Sequence, residues 1–184
     1  KETPETIAEN SDLVILFLRD DNSSEGRDRK NLHLNNSQEE LINKVTKANP
    51  NTILLIGSGT AISLKNIVQK PKALLNIWIS GQGEAQAISD ILFGKVNPSG
   101  KTPVTFFADE KQLPPMDDYN VKNGRSYQYF KGEVLFPFGY GLSYTSYKYS
   151  SPKVNKTHFT GNDSICVTTQ ISNNGQYDGE EVVQ

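Results

Sequence analysis

The sequence predicts an α/β protein: a layered α/β sandwich with a mainly parallel sheet over residues 1–146, followed over residues 147–184 by the beginning of a β-sandwich. Three observations predict it. Leu13–Leu18, Ile53–Ile56 and Ala73–Ile79 are apolar runs of strand length without alternation, the pattern of strands buried on both faces. Helix-patterned segments are interleaved with them, the order expected when helices pack on a parallel sheet. Near the end, Ile165, Val167, Thr169 and Ile171 alternate with polar residues, as in a half-buried antiparallel strand.

Each element has its own justification. The first run leads into a polar stretch, Arg19 to Asn31. Ser37 is the expected N-cap of a helix, with Glu40 three residues on as its capping-box partner. Leu41, Ile42 and Val45 give that helix an apolar face, and Asn49-Pro50 ends it. The second run ends at Gly57-Ser58-Gly59. Beyond the third, a helix is expected over Ala85 to Phe93, stopped by Gly94. Asn97-Pro98-Ser99-Gly100 is turn chemistry, and Pro103–Phe107 reads as a short strand. The stretch from Leu113 to Phe130 is long and irregular, but Tyr119, Tyr127, Tyr129 and Phe130 give it area to bury. Asn173-Asn174-Gly175 is a turn, and Glu180–Gln184 is expected to begin a further strand. A β-sandwich needs about seven strands, so the chain is expected to stop inside that domain.

Composition narrows the function classes. The 184 residues carry 19 basic and 21 acidic side chains, a formal charge of −2, with no block of one sign. Such a surface predicts no nucleic-acid partner. No apolar run is long enough to span a bilayer. Cys166 is the single cysteine, which excludes an internal disulfide and a cysteine zinc site. His33 and His158 lack metal-ligand spacing, so neither metal nor cofactor is expected. The Gly57-Ser58-Gly59-Thr60 loop lacks the lysine and spacing of a phosphate-binding loop. In parallel sheets, ligands bind beyond the carboxyl ends of the strands. That rule ranks three loops first: Arg19–Asn31, Gly57–Thr60 and Ser80–Glu84.

Five stretches, taken in order, resemble glycoside hydrolase family 3. They are Ser24-Glu25-Gly26-Arg27-Asp28-Arg29 with Leu32, Leu34 and Gln38; Gly81-Gln82-Gly83 with Ala87-Ile88 and Asp90-Ile91-Leu92-Phe93-Gly94; Asn97 to Thr105; Phe136 to Thr145; and Asn173-Asn174-Gly175 with Gly179 to Gln184. The sequence departs from the family pattern at Gly83-Glu84-Ala85, where members commonly read Glu-Gly-Gly, and at Asn35-Asn36, where a Leu-Pro is common. The resemblance implies that residues 1–146 are an N-terminally truncated C-terminal α/β sandwich domain, and that residues 147–184 open a fibronectin type III-like domain.

The resemblance further implies a retaining, exo-acting β-glycosidase of β-glucosidase type, with β-xylosidase as the alternative. Asp118-Tyr119 and Arg125-Ser126-Tyr127 have similar counterparts in β-xylosidase members. The partners implied are a glycoside or oligosaccharide substrate and an N-terminal barrel domain that supplies the nucleophilic aspartate. On that reading this chain alone hydrolyses nothing and serves as an accessory and packing module. Glu25, in the loop matching the family's acid/base loop, is the expected general acid/base, with Asp20 and Asp21 as fallback carboxylates. Asp28 and Arg29 are expected to form a structural ion pair. Trp78 and the Phe136–Tyr144 aromatics are expected to pack rather than bind. A secreted or periplasmic location is expected, and Asn22, Asn35, Asn155 and Asn162 open Asn-x-Ser/Thr triplets.

Overall fold

The computed structural model describes residues 2–20, 29 and 31–184. The chain divides into two compact units, Lys1–Glu84 with Thr102–Tyr140, and Ala85–Lys101 with Gly141–Gln184. The first contains a three-stranded parallel sheet in the order β1-β2-β3, formed by β1 (Val14–Arg19), β2 (Thr52–Gly57) and β3 (Ala73–Asn76). The register runs Val14 to Thr52 through Arg19 to Gly57, and Ile53 to Ala73 through Ile56 to Asn76. All three carboxyl ends therefore lie at one edge. Their β-branched and leucine side chains suit the pleated surface, but burial on both faces holds for β2 alone: β1 alternates, with Ile15 and Phe17 exposed, and β3 is partly exposed.

Two helices precede the sheet's first and second strands, α1 (Pro4–Glu9) and α2 (Asn36–Ala48) respectively. Ile42 and Val45 of α2 are buried, and Ile42 joins Leu18, Leu34, Leu54, Ile56, Ile62, Leu64 and Ile67 in one core. The N-cap of α2 is Asn35 rather than the expected Ser37. Asn35 is extended, its side chain accepts from the Gln38 backbone N–H at 2.9 Å, and Gln38 Oε1 accepts in return from the Asn35 N–H at 3.3 Å. The capping box is thus shifted two residues toward the N-terminus. Ser37 instead donates to Asn35 Oδ1 at 2.7 Å, and Glu40 pairs with Lys44 at 2.8 Å one turn on. Asn35→Ala is expected to lower stability by about 1 kcal/mol, seen as a reduced urea midpoint with unchanged slope.

β3 is shorter than its apolar run. The ladder adds one bond, from the Ile77 N–H to the Ile56 carbonyl at 2.9 Å. Trp78 then takes φ 52°, and the strand cannot continue through a left-handed residue. The Trp78 carbonyl turns back on Gly57, where an added Cβ would lie 3.2 Å from it. This close approach accounts for glycine at the end of β2. Trp78 packs edge-on to Phe106 at 6.0 Å, as a packing residue should. The expected Pro103–Phe107 strand is confined to β4 (Phe106–Phe107), which pairs antiparallel with β5 (Val134–Phe136) across an irregular register.

In the second unit, α3 begins at the junction (Glu84–Leu92), and Gly94 beyond it takes φ 70°. Two antiparallel ladders follow: β6 (Tyr147–Tyr149) with β9 (Ile171–Asn173), and β7 (Lys153–Val154) with β8 (Val167–Thr168). The alternating segment is therefore two short strands, not one. It breaks where Thr169 donates to the Ser150 carbonyl at 2.8 Å and the Gln170 N–H donates to Ser150 Oγ at 2.8 Å. No strand forms over 180–184. Glu181 there instead accepts from the Tyr149 hydroxyl at 2.7 Å and meets Lys101 Nζ at 3.3 Å.

Candidate functional site

The carboxyl edge of the parallel sheet carries a polar network on sequence-distant residues. Asp20 follows β1, and its backbone N–H donates to the Gly57 carbonyl at 2.8 Å. Its side chain has no exposed surface and forms an ion pair with Arg29, whose side chain is 7% exposed. Such deep burial demands a full set of partners, because an uncompensated charge away from water is costly. Arg29 supplies one of them and spreads its other donors as a fork. Nη1 goes to Asp20, Nε donates to the Asn31 carbonyl at 2.9 Å, and Nη2 to the His33 carbonyl at 2.7 Å. From the loop after β2, Ser58 donates to Asp20 Oδ2 at 3.3 Å and accepts from the Thr60 N–H at 3.2 Å.

The return of the chain is held as firmly. The Leu32 N–H donates to Glu110 Oε2 at 2.5 Å, the Ser63 N–H to the Leu32 carbonyl at 2.7 Å, and the Ser63 hydroxyl to the Ala108 carbonyl at 2.6 Å. Asp20 and Arg29 thus tie together the two residues that bracket 21–28. A second ion pair joins the end of β1 to the third loop: Arg19 meets Glu84 at 2.6 Å while lying over the Phe17 ring at 5.5 Å. Gln38 Nε2 donates to the Arg19 carbonyl at 2.9 Å, which anchors the first turn of α2 to the same edge.

The three loops selected by the strand-end rule do converge, through Asp20, Ser58 and, by way of Arg19, Glu84. Glu25, the expected acid/base, lies outside the described residues, as do Asp21 and Asp28. The expected Asp28–Arg29 pair falls outside the described residues at Asp28; the described partner of Arg29 is Asp20. The geometry gives Asp20 a structural part. The pairing of Asp20 with Arg29, the Ser58 contact and the Arg19–Glu84 bridge escaped sequence reasoning. One signal was present: a polar residue immediately after each of the first two buried strands. Glu84, a departure from the family pattern, is what makes the third loop reach Arg19.

A second arm of the same unit is organised by Asp118. Arg125 donates through Nε to the Asp118 carbonyl at 2.5 Å and through Nη2 to the Pro115 carbonyl. The Asp118 carboxylate accepts from Asn123 Nδ2 at 2.8 Å and from the Asn120 N–H at 2.9 Å. The Asn123 bond, then the Asn120 backbone bond and the Arg125 charge, hold its pKa below the ordinary carboxylate value. Gly124 at φ 97° and Ser126 at φ 60° turn the chain. Tyr127 then stacks on Phe138 at 4.4 Å, and Tyr119 stands 88% exposed. The irregular stretch is thus held by one carboxylate hub and the Tyr127–Phe138 and Phe107–Phe130 ring contacts, while Tyr119, Tyr127 and Tyr129 stay exposed rather than buried as expected. The following glycine-rich turn packs too: Phe136 meets Phe106 at 5.9 Å and Tyr140 at 5.1 Å, with Gly139 at φ 81° between them. Among the described residues, no group of three His, Cys, Asp or Glu side chains is placed to hold a metal ion, and no helix is long and apolar enough to cross a membrane.

Comparison with known proteins agrees with this architecture. The glycosyl hydrolase family 3 C-terminal domain matches residues 1–144. A beta-xylosidase of Formosa agariphila is 34% identical over 98% of this chain and 26% of its own length. The thermostable beta-glucosidase B of Acetivibrio thermocellus is 37% identical over 96% of this chain and 25% of its own. Among solved structures, the beta-glucosidase DesR of Streptomyces venezuelae, in complex with D-glucose, superposes with a TM-score of 0.81 at 35% identity, covering 95% of this chain and 24% of that one. The chain therefore spans about a quarter of the length of these relatives.

Proposed function

Because the chain belongs to glycoside hydrolase family 3, we propose that it acts as the C-terminal portion of a longer, retaining, exo-acting β-glycosidase that removes terminal non-reducing β-linked sugars. The observation that carries this reading is the buried tie between Asp20 and Arg29 at the carboxyl edge of the sheet, which brackets the segment containing Glu25. Retaining hydrolysis needs two carboxyl groups about 5–5.5 Å apart. Glu25 is the proposed general acid/base: it protonates the leaving oxygen, then removes a proton from the water that releases the sugar. The nucleophilic carboxylate is proposed to come from a barrel domain outside these residues, so the chain by itself is proposed to be inactive. A tied loop base suits this chemistry, because an acid/base displaced by even 1 Å loses much of its effect.

β-Glucoside is the leading substrate. β-Xyloside is the second reading, favoured by the match to the Formosa agariphila enzyme over nearly the whole chain. The ladders of the second unit are proposed to open a fibronectin type III-like sandwich. A secreted or periplasmic location fits the exposure of Asn35, Asn155 and Asn162 in their Asn-x-Ser/Thr triplets. The test uses the full-length protein with nitrophenyl β-glucoside and β-xyloside, and proton NMR of the first-formed sugar. Turnover of one or both with a β-configured product is expected. An α-configured first product, or hydrolysis by residues 1–184 alone, would overturn the proposal.

A further inference from the structure

The second unit contains a groove of about 450 Å³, lined by Gly94, Lys95, Asn97, Tyr144, Tyr177 and Asp178, which the reading above does not use. Its size falls within the range of small-ligand sites. Its walls are set in advance. Asn97 Oδ1 accepts from the Ser143 hydroxyl and from the Tyr144 N–H, both at 2.8 Å, and Asn97 Nδ2 donates to the Asp178 carbonyl at 3.0 Å. One amide thereby joins the strand-side wall to the turn that carries Tyr177 and Asp178. The Tyr144 hydroxyl donates to the Ile91 carbonyl at 2.9 Å, which fixes its ring, and Asn173 Nδ2 donates to the Tyr177 carbonyl at 2.8 Å. Both rings nonetheless stand open, 47% exposed at Tyr144 and 60% at Tyr177.

The lining selects a class of ligand. Two tyrosine rings offer flat, amphipathic area at low conformational cost. Such faces suit the axial C–H surface of a pyranose. The Lys95 ammonium, which also meets Asp90 at 3.4 Å, and the Asp178 carboxylate are opposite in charge, so the groove has no excess of positive charge to hold an anion. Together they offer a donor and an acceptor, the pairing that neighbouring hydroxyl groups satisfy. Carbonyls and amides within the walls are already engaged with each other, so recognition falls to these exposed groups. We propose that this groove is an accessory binding site for a neutral β-linked glycan chain, distinct from the site at the carboxyl edge of the sheet.

The test is affinity gel electrophoresis of the full-length protein in soluble xylan and in soluble mixed-linkage β-glucan. A polymer offers many internal sugars and few chain ends, so an exo-acting pocket contributes little to retardation. Retardation by either polymer is expected, and the one that retards identifies the backbone bound. Tyr177→Ala and Lys95→Ala are each expected to weaken it at least fivefold, while Tyr119→Ala, on the other unit, leaves it unchanged. Nitrophenyl glycoside turnover of the Tyr177 and Lys95 variants is expected to stay within twofold of the parent, which shows them folded and separates this site from the catalytic reading. No retardation by either polymer, or retardation of Tyr177→Ala equal to that of the parent, would overturn the inference.

Discussion

Glu25→Ala in the full-length enzyme is expected to slow hydrolysis of a glycoside with a poor leaving group by about 10²–10⁴-fold, the usual range for a lost general acid. The two halves of the reaction respond differently. The departing oxygen of an alkyl glycoside needs a proton as its bond breaks, whereas a dinitrophenolate departs without one. Glycosylation of the variant by dinitrophenyl glycoside is therefore expected to stay near the parent rate. The second half is then expected to limit turnover, because on the proposed reading the same carboxylate activates water. Azide needs no base, so adding it is expected to restore turnover and divert product to the glycosyl azide. An equal loss with good and poor leaving groups, with no response to azide, would reject Glu25 as the acid/base.

Arg29→Ala is expected to cost about 3–5 kcal/mol of folding stability, the range for removing one partner of a buried pair. For a chain of this size that corresponds to a fall in Tm of roughly 6–20 °C. Arg29 is 7% exposed, and the carboxylate it meets is fully buried, so solvent cannot take over the lost contact. The Asn31 and His33 carbonyls lose their donors in the same step. Arg29→Lys keeps the charge but reaches fewer of the three acceptors, so it is expected to recover less than half of the loss. Arg19→Ala supplies the contrast. That pair is 41% exposed at the arginine, and exposed pairs contribute about 0.2–1 kcal/mol. Differential scanning calorimetry of the three variants checks the ranking, and a Tm for Arg29→Ala equal to that of Arg19→Ala would refute it.

Much of the fold was legible because long apolar runs mark strands, although only β2 is buried on both faces: Ile15 and Phe17 of β1 stand 51% and 45% exposed. Leu13–Leu18 and Ile53–Ile56 read as parallel strands without any knowledge of their partners, and the structure pairs them. The helix of Ile42 and Val45 was equally visible, but its start was not. Asn35 and Ser37 are both good caps, and what separates them is whether Gln38 or Glu40 faces back along the chain. The strand after Ala73 was too long by three residues because Trp78 looks like a strand residue. Its backbone is left-handed, and its carbonyl turns back close to Gly57. In the second unit, the alternation of Ile165 to Ile171 did not become one half-buried strand: Ile165 and Val167 are 42% and 64% exposed, and Ser150 interrupts the segment from another part of the chain.

The polar edge shows the same division. Strand ends name the loops that meet there, since a parallel sheet gathers its carboxyl termini at one side. Family resemblance then pointed to Glu25 within one of them. What only the tertiary structure decided is which charges meet. Asp20 and Arg29 are nine residues apart, and Arg19 and Glu84 sixty-five, with nothing in spacing to pair them. Their pairing depends on desolvation. A carboxylate placed under the sheet edge must find a cation and hydroxyl within reach, and the fold alone determines which ones stand there. Sequence by itself therefore determined the class, the parallel strands and the family; the three-dimensional packing determined the partners, because the cost of burying a charge exists only once the chain has closed around it.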